Sequence, residues 1–153
     1  MRHHRIILSL VGLFLAGPLL AGSVHAAHDH VHASHAWVRL LPAGLPAGGY
    51  VTLSNDGDRT ASFTRASSPD YAHVMLHQST MHDGMNTMTR VARIDVPAHG
   101  QVALAPGGYH LMLMQATHPL KPGDRIEVVL RFADGSTLPV AFVARPADAD
   151  GPG

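Results

Sequence analysis

Apolar and polar residues alternate in short runs from Ala36 onward, and turn-forming residues interrupt them every ten or so positions. Period-two alternation marks strands with one buried face. Residues 36–40, 50–54, 60–67, 73–77, 88–94, 102–104, 109–115, 125–132 and 138–143 read as strands. Turn signals separate them: Asn55-Asp56-Gly57-Asp58, Ser68-Pro69-Asp70, Pro97-Ala98-His99-Gly100, Pro106-Gly107-Gly108 and Ala133-Asp134-Gly135-Ser136. Residues 41–49 carry Pro42, Pro46 and three glycines and read as a loop. Residues 79–87, with Asp83-Gly84 and Asn86, read as a hairpin-like turn between His77 and Met88. Eight or nine short strands with no convincing helix predict an all-β sandwich or barrel. No internal repeat is evident.

The start of the chain follows a different pattern. Arg2, His3, His4 and Arg5 precede an apolar stretch over 6–20, and Val24-His25-Ala26 offers small residues where a signal peptidase reads. Residues 1–26 are therefore expected to be a secretory signal peptide, cut after Ala26 or Ala27. The apolar run is short for a membrane span. Leu20-Ala21-Gly22-Ser23 resembles a lipobox with serine in the cysteine position, so export to a soluble periplasmic state is expected. Residues 27–35 hold His28, His30, His32 and His35 without apolar periodicity, and they read as a flexible arm. The folded domain is expected over 36–144, followed by a polar tail over 145–153.

Composition narrows the chemistry. The chain of 153 residues has no net formal charge, so it presents no basic surface for nucleic acid. It contains no cysteine, which excludes disulfides, thiolate metal sites and blue-copper centres. It holds 13 histidines and seven methionines, and Met81, Met85, Met88, Met112 and Met114 cluster in two short stretches. No Ser/His/Asp cluster or acidic pair suggests an enzyme.

His77, Met88, His110 and Met112 form the candidate metal site. Two imidazoles and two thioethers make a soft, neutral donor set of the kind that suits Cu(I). His110 and Met112 lie two apart on one strand and point to one side, about 7 Å apart, while Leu111 and Leu113 point to the core. His77 ends one strand and Met88 begins the next, so a hairpin would bring them close. Taken singly, each residue has a plainer role: methionines fill cores, and strand-end histidines decorate surfaces. Met114 is expected mainly to pack, and Trp37 to sit in the core or cover a loop. Met81, His82 and Met85 fall in the turn beside the site, either shielding it or simply exposed. The histidine arm resembles a weak Cu(II) or Zn(II) site. Cleavage after Ala27 would make His30 the third residue, completing a square-planar Cu(II) chelate.

The spacing of His77, ten residues, Met88, twenty-one residues, His110, one residue, Met112 resembles that of the PCu(A)C family of periplasmic copper chaperones. Ala36-Trp37-Val38-Arg39, Gly48-Gly49-Tyr50 and the 107–114 segment also look like family segments. The resemblance implies a cupredoxin-like Greek-key β-sandwich, a strand count that an immunoglobulin-like sandwich would share. It implies Cu(I) bound by His77, Met88, His110 and Met112. It also implies delivery to the dinuclear copper centre of cytochrome c oxidase, or to another exported cuproprotein. One departure is visible: Gln78 follows His77 where some members carry Met, and Met75 or Met81 could supply that sulfur. The chain is expected to be a monomer, with no stable membrane anchor and no enzymatic activity. Copper sequestration without a dedicated acceptor would use the same ligands.

Overall fold

The computed structural model describes residues 29–42 and 44–153. The expected signal peptide, Ala27 and His28 lie outside them. Among the described residues no helix is long and apolar enough to cross a membrane.

Ten strands build the domain: β1 (Val31–Arg39), β2 (Ala47–Asn55), β3 (Ala61–Ser67), β4 (Tyr71–His82), β5 (Met85–Arg90), β6 (Ile94–Val96), β7 (Gly100–Leu104), β8 (Tyr109–Ala116), β9 (Arg125–Phe132) and β10 (Thr137–Arg145). The all-β, single-domain expectation holds. The strands hydrogen-bond in the order β5-β4-β8-β2-β1-β10-β9-β3-β6, with β7 also pairing β2. Every pairing is antiparallel except β1 with β10. The path curls over so that β3 packs near β4, and one core fills the interior. Phe63, Leu111, Leu113, Val128, Leu130 and Phe142 are completely buried there.

Four boundaries differ from the sequence reading. Strand β1 begins at Val31, inside the stretch read as a flexible arm, and Val31 to Ser34 pairs with Asn55 to Thr52. Val31 is buried and Ala33 packs against the core, which is enough apolar anchoring to dock a segment with no apolar run. A register shift follows between Ser34 and Trp37, with His35 in the left-handed region at φ 53°. The loop ends sooner than expected, because β2 already pairs from Ala47. The 79–87 turn shrinks to Asp83-Gly84, both at positive φ as a two-residue hairpin of the I′ kind requires. The run over 88–94 divides: β5 stays with β4, while β6 crosses to pair β3, placing Ile94 and Val96 in the core.

The tail is also tied down. Arg39 donates from Nε (3.0 Å) and Nη2 (2.7 Å) to the carbonyl of Ala149.

Candidate metal centre

The β4–β8 register places the site. His77 lies opposite His110, and Met75 opposite Met112. Residues directly opposed in a sheet share a face, so all four side chains project outward while Leu76, Leu111 and Leu113 point into the core. The β4–β5 register then sets Met88 opposite Ser79, two residues beyond His77 on that same face. The hairpin does bring Met88 to the site, but His77 itself faces Arg90.

The two imidazoles meet edge to face, ring centroids 5.8 Å apart. His110 is buried at 6% exposure, whereas Met88 is 48% exposed, so the set grades from interior to surface. His110 Nδ1 lies 3.1 Å from the carbonyl oxygen of Gly108. A carbonyl only accepts, so Nδ1 carries the proton and Nε2 keeps its lone pair. The same carbonyl accepts the backbone N–H of Ser79 at 3.0 Å, locking β4 to the turn before β8. His110 Nε2 and His77 Nδ1 are both buried without a hydrogen-bond partner. Orphaned buried nitrogens are costly, and a metal ion would satisfy both. Burial first, then His110 and Arg90, hold the His77 pKa below its usual value, which favours the neutral ring that metal ligation requires. Among the described residues no three His, Cys, Asp or Glu side chains gather to hold a metal. A metal here therefore needs thioether sulfur.

A cavity of about 270 Å³ opens beside His110, Met112 and Met88. Gly48 is part of its wall. Arg39, Gly48, Met112 and Met75 form one row across β1, β2, β8 and β4, and the end of the Tyr50 ring lies over the glycine in that row. A Cβ on Gly48 would sit 2.7 Å from the Tyr50 hydroxyl oxygen. Trp37 and Tyr50 stack at 4.6 Å between centroids, with the Arg39 guanidinium 5.4 Å from the Trp37 ring. Trp37 is thus buried outside the main core cluster, on the face that carries the site. Arg39, Gly48 and Tyr50 carried no sign of these wall roles in the sequence, where they were only parts of family-like segments.

The remaining sequence candidates fall elsewhere. Met81 shares the site's face but is 70% exposed at the hairpin end, and Met85 and His82 alternate onto the opposite face. Gln78 also points away, opposite Tyr109 and Thr89, whereas Met75 projects beside His77. In the arm, His30 and His32 both face Asp56, at 3.3 and 3.1 Å. The hydrogen bond from His32 leads the effects that lower the Asp56 pKa. His35 Nδ1 rests 3.2 Å from Ser34 Oγ.

A β-sandwich of this topology with a His/Met face defines a class, and comparison with known proteins agrees. The family model described as "Putative lipoprotein LpqE-like" matches residues 31–144, and the chain belongs to that family. The chain is 37% identical over 137 residues to "Putative lipoprotein Lxx21020" of Leifsonia xyli subsp. xyli, covering 89% of this chain and 82% of the relative. Its fold is that of PCuAC domains. The solution structure of CuI-DR1885 from Deinococcus radiodurans is similar at TM-score 0.62 and 32% identity, over 82% of this chain and 83% of that one. The apo PCuAC domain of PmoF2 is similar at TM-score 0.65 and 24% identity, over 80% and 94% of the two chains.

Proposed function

We propose that the protein is a periplasmic metallochaperone that holds Cu(I) on His77, Met88, His110 and Met112 and passes it to an acceptor. The observation that carries this reading is the pair of orphaned imidazole nitrogens, His77 Nδ1 and His110 Nε2, on one face with Met112 and Met88. Neutral thioethers favour Cu(I) over Cu(II), and no thiolate competes. Similarity to the Cu(I) form of DR1885 supports the same cargo. The name lipoprotein belongs to the relatives; here Ser23 occupies the lipobox cysteine position.

Graded exposure suits release. An incoming ligand would displace Met88 first, then Met112, and reach the buried His110 last, so the ion never stands free. The acceptor proposed is the dinuclear copper centre of cytochrome c oxidase, or another exported cuproprotein.

The test is an anaerobic competitive Cu(I) titration of the wild type and of a Met88→Leu/Met112→Leu variant. Leucine conserves volume, so the fold should survive. One tight equivalent in the wild type, lost in the variant, is the expected result. Tight binding that persists in the variant would refute the site. Transfer to a purified oxidase copper subunit then separates a chaperone from a sequestering protein, which would keep its ion.

A further inference from the structure

Besides Met81 at the hairpin end, the four-residue site leaves three soft donors on the same face unused. Beyond Met75 and Met112, the β4–β8 register sets His73 opposite Met114. The pairs His77–His110, Met75–Met112 and His73–Met114 therefore form an unbroken ladder of three histidines and three methionines. Two strands with no other residue type at these outward positions make a continuous soft-donor track. Core packing does not require this, since all six residues point away from the interior. His73 is exposed, Met75 and Met114 are half-buried, and among the described residues no hydrogen bond or ion pair engages His73. A second cavity, of about 300 Å³, is lined by His73, Met75 and Arg90 against the end of β3. It is separate from the cavity beside Met88.

We propose that His73, Met75 and Met114 form a second, weaker Cu(I) station one ladder step from the first. One imidazole and two thioethers suit a three-coordinate Cu(I) ion. Opposed side chains start about 5 Å apart at Cβ, and unbranched methionines reach their diagonal neighbours. The station is weaker because it offers one imidazole where the first offers two. Met75 and Met112 form the joint between the stations. The ion would move by exchange of thioether ligands, Met112 for Met75, keeping its charge throughout and needing no oxidant or reductant. The exposed His73 end would load copper while the buried His77–His110 end retains it. This inference rests on the copper reading of the first site.

The experiment is an anaerobic Cu(I) titration with a weak and a strong chromophoric competitor, read alongside the methyl NMR shifts of labelled methionines. Three proteins are compared: the wild type, His73→Ala/Met75→Leu/Met114→Leu, and Met88→Leu/Met112→Leu. The expected wild type binds one tight and one weaker equivalent. The weaker one shifts the methyls of Met75 and Met114 and is lost in the triple variant, which keeps the tight one. A wild type that saturates at one equivalent, or a second equivalent that survives in the triple variant, overturns the second station while leaving the first intact. Loss of neither equivalent in Met88→Leu/Met112→Leu overturns the first site instead. A wild type that binds no Cu(I) overturns both.

Discussion

His110 acts as a ligand candidate because one carbonyl holds it. Gly108 accepts from Nδ1 and from the Ser79 amide, so ring orientation and strand register are fixed by a single oxygen. Gly48 plays the complementary part by having no side chain. Between Arg39 on one side and Met112 on the other, it lets the Tyr50 ring lie close against the backbone at the cavity wall. Gly48→Ala is expected to displace the Tyr50 ring, whose hydroxyl would be 2.7 Å from the new methyl. Cu(I) affinity should fall at least tenfold, while the Tm drops by only a few degrees, because the core below is untouched. A competitive titration with a melting curve checks this. Unchanged affinity would show that the cavity takes no part in holding the ion.

At the level of elements, the β4–β5 hairpin is the exposed half of the site. All of β5 is exposed, and the hairpin is held by its ladder and by Asp83-Gly84 rather than by the core. Gly84 sits at φ 77°, where an L side chain is strained. Gly84→Ala is expected to cost about 1–2 kcal/mol and to fray the hairpin tip. Since Met88 rides on β5, Cu(I) should dissociate faster, with His110 and Met112 still in place. Stopped-flow transfer to a chelator reads this. An unchanged off-rate would mean that Met88 is not the ligand that leaves first. Strands β4 and β8, by contrast, are braced by Leu76, Leu111 and Leu113 in the core, and they supply the fixed half.

Across the whole molecule, stability without disulfides rests on the core and on a few polar ties between distant segments. Asp70 is one such tie. It accepts from His118 Nε2 at 2.9 Å and from the Glu127 amide at 3.1 Å, joining the β3–β4 turn, the segment after β8, and β9. The hydrogen bond to Asp70 is the leading cause that raises the His118 pKa above its ordinary value. A raised histidine pKa contributes stability that is fully present below about 6.5. That contribution is lost as pH rises through the folded-state value. It is small, because the imidazole is solvent-exposed. In Asp70→Asn the His118 titration, followed by NMR, should move down toward the ordinary histidine value. The decline of Tm as pH rises above about 6.5 should flatten. An unmoved His118 titration would refute the pairing.

The period-two pattern by itself determined the all-β class and most strand centres, because alternation directly encodes a half-buried sheet. It also determined that His110 and Met112 share a face opposite Leu111 and Leu113, since that follows from one strand alone. Spacing and resemblance singled out His77 and Met88. Only the tertiary structure decided what stands opposite what. That His77 meets His110, and that His73, Met75 and Met114 continue the ladder, depends on register between residues 33 to 41 positions apart, set by turns and core packing, while the β4–β5 hairpin sets Met88 opposite Ser79. The cavity beside Gly48 needed five strands laid side by side, and the docking of Val31 needed a finished core to receive it. Such placements rest on long-range contacts, and a local pattern of apolar and polar residues does not carry them.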